Sequence, residues 1–116
     1  MLVAGIFTSL PARAQSFKVH FIIKGLAGKS PENASIFVAG SMNNWDPANS
    51  SYRFLKKPDN SYGLMVDFPA GVNEYKITRG SWETAETKLD GQPLSNRGFI
   101  LTNDTVINLN VFTMAG

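Results

Sequence analysis

Four stretches of the chain alternate apolar and polar residues with a period of two. In FKVHFIIKG, residues 17–25, the side chains of Phe17, Val19, Phe21 and Ile23 fall on one phase, and Lys18, His20 and Lys24 on the other. That is the pattern of a strand with one buried face. YGLMVDF, residues 62–68, puts Tyr62, Leu64, Val66 and Phe68 inward. VNEYKIT, residues 72–78, points Tyr75 and Ile77 inward and Glu74, Lys76 and Thr78 outward, and TVINLNVF, residues 105–112, groups Thr105, Ile107, Leu109 and Val111. SIFVAG (35–40) reads as a short, more fully apolar strand, and SYRFLKK (51–57) and GFIL (98–101) as short strands. Turn chemistry separates them: GLAGKSPENA, PDNS, PAG and TND all supply Gly, Pro, Asn or Asp. No stretch holds a helical period over three turns. About seven short strands in about 100 residues predict an all-β, immunoglobulin-like antiparallel β-sandwich.

Composition limits what such a sandwich can do. The 116 residues suit one domain, with 43% hydrophobic and 17% charged residues. Eleven basic and nine acidic side chains, scattered without runs, give a net charge of +2. No basic stripe is laid out for nucleic acid or an anionic membrane. Cysteine is absent, which removes disulfides and thiolate metal sites. No apolar run reaches the roughly 18–20 residues of a spanning helix. The opening MLVAGIFTSLPARAQS is an apolar run that ends in Ala12, Arg13 and Ala14, the small-x-small pattern of a signal-peptidase site. Residues 1–14 are therefore read as an export signal lacking a basic start, and residues 15–116 as the mature domain, secreted or periplasmic.

Catalytic and cofactor chemistry finds no support. GLAGKS, residues 25–30, has two residues between its glycines where a phosphate loop needs four. His20 is the single histidine and falls on an outward phase, so no His pair or nucleophile triad exists. Glu83 and Glu86 read as solvated loop residues, since a single small sandwich lacks the cleft across which paired carboxylates act. Asn33, Asn49 and Asn103 each open an N-glycosylation triplet, which matters only in a eukaryotic secretory route. The expectation is a non-enzyme without cofactor or metal.

Two tryptophans remain, each on a polar loop: Trp45 in SMNNWDPANS and Trp82 in RGSWETAE, with Lys76 outward just before the second loop and Asn96 just after it. Flat rings with a few polar groups beside them suit a sugar, whose C–H faces stack and whose hydroxyls take hydrogen bonds.

IFVAGSMNNWDP, FPAGVNEYKITRGSWE and SNRGFIL resemble the starch- and glycogen-binding domains of carbohydrate-binding module families 20 and 48. The resemblance runs over residues 17–112, in the order apolar strand, G-S-x-N-x-W, P-x-G turn, E-Y-K, G-x-W and a late asparagine. It implies one shallow α-1,4-glucan site made of Trp45, Lys76, Trp82, Glu83 and Asn96. The tyrosine that builds a second site in some members has no counterpart in AGKSPENAS, and Tyr62 is on a core phase, so one site is expected. The stretch 76–97 is also similar to starch-binding-like modules at the front of secreted bacterial esterases and other hydrolases. That leaves two functions open: a non-catalytic binder of starch, glycogen or malto-oligosaccharide, or an accessory domain that packs its tryptophan face on a hydrolase catalytic domain.

Overall fold

A computed structural model describes residues 15–26, 35–111 and 113–115. The export signal read over 1–14, most of the turn read over 25–34 and Phe112 lie outside the described residues. In the described residues the chain runs β1 (Ser16–Leu26), β2 (Phe37–Gly40), β3 (Leu55–Lys56), β4 (Tyr62–Pro69), β5 (Gly71–Thr78), β6 (Glu86–Thr87), β7 (Arg97–Leu101), β8 (Thr105–Val111) and β9 (Thr113–Met114). Three single 3-10 turns interrupt it, at Ser41–Asn43, Ser50–Tyr52 and Trp82–Thr84. The fold is an all-β, immunoglobulin-like sandwich.

One sheet has the order β3-β4-β1-β8 and the other β2-β5-β7, with β6 and β9 forming a small two-stranded ribbon. Pairing is antiparallel throughout except between β1 and β8, which run parallel, with Phe21 opposite Ile107 and Ile23 opposite Leu109. The predicted inward phases pack between the sheets: Val19, Phe21 and Ile23 from β1, Phe68 from β4, and Ile77 from β5 have no exposed surface. Phe21 lies 5.6 Å from Phe68 in its own sheet and 5.1 Å from Tyr75 across the core, and Phe99 of β7 closes the cluster at 5.4 Å from Phe68. Inclined rings at these separations gain electrostatically beyond the area they bury. Burial raises the phenol of Tyr75 to about 12.

Tyr62 is core, as its phase predicts. Three other readings are corrected. The segment 51–57 is not one strand: Arg53 bridges to Phe37 in one sheet, while Leu55 and Lys56 pair with β4 in the other. Thr78 is outward by alternation yet has no exposed surface, because the loop after β2 folds over it. Glu86 is buried as the first residue of β6, and Arg97 donates from Nε to its Oε1 at 2.9 Å. The charged hydrogen bond satisfies both groups, the condition on which a buried carboxylate is tolerated, and it raises the Arg97 pKa further.

Candidate functional site

The loop that carries Trp45 is built on the open edge of β2. In an antiparallel pair every second residue turns its N–H and C=O toward the partner; β5 takes one side of β2, leaving residues 36, 38 and 40 facing outward. Each is closed by the chain itself. Phe54 donates its N–H to the Ile36 carbonyl at 2.8 Å. Buried Asn43 acts as a substitute strand: its Nδ2 donates to the Val38 carbonyl at 3.1 Å and its Oδ1 accepts from the Gly40 N–H at 3.0 Å. Trp45 then donates its own N–H to the Gly40 carbonyl at 2.8 Å.

Gly40 is required here by space, its backbone being extended. A Cβ would stand 2.5 Å from the Glu74 carbonyl oxygen and 2.8 Å from the Met42 sulfur. The turn closes with Asn44 and Trp45 both left-handed, at φ 58° and 56°, a region that asparagine tolerates and tryptophan rarely enters. Beyond the ring, Thr78 donates Oγ1 to the Pro47 carbonyl at 2.6 Å and accepts the Gly80 N–H at 3.1 Å. One hydroxyl thus ties the Trp45 loop to the start of the Trp82 loop.

Trp82 opens the 3-10 turn Trp82–Thr84, which is fixed by the Ser81 and Thr84 hydroxyls at 2.9 Å and by the Thr84 N–H on the Ser81 carbonyl at 3.2 Å. The two indoles meet, with centroids 6.5 Å apart and planes inclined at 42°. Trp45 is half-buried; Trp82 keeps 43% of its surface exposed.

Lys76 points out of the sheet, as its phase predicts, and its ammonium donates to the Leu94 carbonyl. With Trp82, Leu94 and Pro93 it lines a hollow of about 250 Å³. Asn96 is on the adjoining hollow of about 390 Å³, which shares Leu94 and Glu86 with the first. Its Nδ2 donates to Glu74 Oε1 at 3.0 Å. Glu83 is exposed on the turn after Trp82 and lines neither hollow. The five residues named from sequence therefore divide: the two rings touch, Lys76 joins Trp82, Asn96 is one hollow away, and Glu83 stands at the rim.

Sequence reasoning gave no structural role to Gly40 and Asn43, although both stand in the G-S-x-N-x-W motif, nor to Thr78 or Leu94. Asn43 carried a signal, since an amide two residues before the ring in a run of asparagines is a candidate for closing the strand edge just left. Leu94 carried none: it is brought to Lys76 by the turn in which Lys88 donates to the Gln92 carbonyl at 2.8 Å and Gly91 adopts φ +88°.

No family model matches the chain. In sequence it is 39% identical over 71 residues to an alpha-amylase of Niallia circulans, an overlap of 60% of this chain and 6% of that protein. The chain thus spans a small fraction of the relative's length. In structure it resembles a gamma-CGTase from alkalophilic Bacillus clarkii, with a TM-score of 0.51 and 18% identity over 82% of this chain and 15% of the other. That likeness is one of fold.

Proposed function

We propose that this domain is a non-catalytic module that binds α-1,4-glucan, as starch, glycogen or malto-oligosaccharide, on the face carrying Trp45 and Trp82. The observation behind the reading is the pair of indoles, 6.5 Å apart and inclined at 42°. The sequence relative is an alpha-amylase, which favours an α-glucan over other neutral polymers. The residues 17–112 and their motif order, likened above to carbohydrate-binding module families 20 and 48, agree with it.

Two inclined rings form an angular platform. An α-1,4-glucan winds and follows such a bend without being ordered first, whereas a β-1,4-glucan is a flat ribbon. Sugar C–H faces cover the indoles and release water from them. Lys76 uses one N–H on Leu94, leaving two for sugar hydroxyls; Asn96 uses one amide N–H on Glu74, leaving the other and its carbonyl oxygen. Glu83, beside Trp82, supplies an acceptor at the rim. In this reading no bond is made or broken, no cofactor takes part, and the product acts outside the cell after residues 1–14 are removed.

The test is calorimetric titration with maltoheptaose, β-cyclodextrin and cellohexaose. The α-linked sugars should bind with a Kd between about 1 μM and 1 mM and cellohexaose far more weakly. Trp45→Ala and Trp82→Ala should each lose about tenfold or more. Equal affinity for the two linkages, or full binding by both variants, refutes the platform.

A second reading, an accessory domain packed on a hydrolase catalytic domain, draws on the small share of the amylase that the chain spans and on the 43% exposure of Trp82. Under it, the isolated domain migrates unretarded through an amylose gel.

A further inference from the structure

The outward face of the other sheet holds a different constellation. A groove of about 510 Å³ lies where the Ser50–Tyr52 turn meets β3 and β4. His20 of β1, Arg53 and Lys57 line it with the hydroxyl-bearing Ser50 and Ser51. Its apolar wall includes Leu55 and Met65, which are 70% and 58% exposed.

Lys57 and His20 converge because β4 has a glycine at their meeting point, and Arg53 lines the same groove. A Cβ on Gly63 would lie 2.8 Å from Lys57 Cε, 3.1 Å from Lys57 Nζ and 3.7 Å from His20 Nε2. The lysine arm thus crosses the strand where a side chain is missing, and sets its ammonium beside the imidazole. Among the described residues no carboxylate lines the groove. Asp67 on the same face pairs with Lys18 at 3.7 Å. Asp59, the acid nearest Lys57 in sequence, accepts from the Ser61 N–H and hydroxyl at 2.9 and 2.6 Å and lies outside the groove. Those bonds from Ser61, and after them the charge of Lys57 across the turn, lower the Asp59 pKa, so one acid offsets part of the field from outside the groove; within the described lining an anion would relieve the rest.

We propose that this groove binds a phosphate monoester on a small organic body. A phosphate presents three terminal oxygens and up to two charges, matching an arginine fork, an ammonium, an imidazole and two hydroxyls. A carboxylate has one charge and two oxygens and leaves most of those donors unmatched. The exposed Leu55 and Met65 cover the body of the ester, and the volume holds one of monosaccharide size. The group comes either from a free sugar phosphate or from a phosphate ester on a polysaccharide. The groove is independent of the tryptophan face.

The experiment titrates the intact chain at low salt with glucose 6-phosphate, inorganic phosphate and glucose, and in parallel with maltoheptaose followed by tryptophan fluorescence. Glucose 6-phosphate binds, inorganic phosphate displaces it, and added salt weakens both. The double variant Arg53→Gln/Lys57→Gln, changed at exposed positions, loses about tenfold or more for the phosphates and keeps its maltoheptaose curve. Gly63→Ala, which pushes the Lys57 arm aside, weakens phosphate binding in the same direction. In a Trp45→Ala/Trp82→Ala variant, which removes the other face's hold on glucan, retention of a phosphorylated glucan that is lost on phosphatase treatment assigns the polymer as the source; no retention, with tight glucose 6-phosphate binding, assigns the free ester. No heat with either phosphate at about 10 mM, failure of inorganic phosphate to displace the sugar phosphate, or full affinity in the double variant overturns the proposal. Maltoheptaose binding reports on the other face, so either reading can fail alone.

Discussion

Replacing Asn43 by alanine separates the scaffold of the tryptophan platform from the rings themselves. The side chain is 9% exposed and makes two hydrogen bonds to the β2 edge, to Val38 and Gly40. Each bond contributes about 1 kcal/mol net, and a buried backbone group left without a partner costs about 1–3 kcal/mol. Water reaches part of the vacated space beside an exposed loop, so the sum is about 2–4 kcal/mol. That is a large fraction of the roughly 5–15 kcal/mol that stabilises a domain. For a chain of this size it lowers Tm by roughly 8–16 °C. Urea denaturation with global fitting measures the stability change, and maltoheptaose titration on the still-folded fraction measures affinity. Both should fall, because Trp45 donates to the same Gly40 whose N–H is freed. Asn43→Asp retains the acceptor for Gly40 but loses the donor for Val38 and belongs between the two. A stability within about 0.5 kcal/mol of the parent, with an unchanged titration, would mean that the amide bridge does not hold the loop.

Lys76→Ala should weaken glucan binding about three- to tenfold with little change in melting, since the side chain leaves the core and keeps only the Leu94 carbonyl; parallel losses in binding and melting would count against its site role. Gly40→Ala drives a Cβ to 2.5 Å from the Glu74 carbonyl and should cost about 1–3 kcal/mol in urea denaturation; a neutral result would show that β2 and β5 separate without penalty. Tyr75, raised to about 12 by burial, holds its proton in the fold above the pH at which an unfolded tyrosine near 10 loses it. Stability from this group is therefore complete below about pH 10 and falls as pH rises toward 12, and Tyr75→Phe should flatten that limb in melts between those values.

The strands were legible because each half-buried segment pays for a misplaced residue on every second position, so the period survives in the sequence. Phe21, Phe68 and Tyr75 could be assigned to the core from phase alone. What alternation cannot register is chain that serves two sheets. Residues 51–57 look like one strand, but Phe54 closes the β2 edge while Leu55 and Lys56 join β4, and no periodicity marks the crossing. Thr78 and Glu86 misled for a related reason. Alternation sets Thr78 outward and Glu86 follows a polar turn, while their burial comes from a distant loop and from Arg97 of another strand.

At the candidate site the rings and Lys76 were visible because a large apolar group on a polar loop is conspicuous, whereas the scaffold was not, because its members are small and polar. That scaffold bears on whether the rings form a functional pair. Asn44 and Trp45 are consecutive left-handed residues without glycine, a conformation costing about 1–2 kcal/mol at each such position and less for asparagine. A relaxed turn would release that strain and let the ring settle against the sheet. Instead Asn43 and Gly40 hold the turn from below, and Thr78 links it to the Trp82 loop. Strain kept beneath one ring, with a direct tie to the loop of the other, is the arrangement expected where the mutual angle of two surfaces matters more than their burial. A tryptophan needed only to plug the sandwich would gain nothing from it.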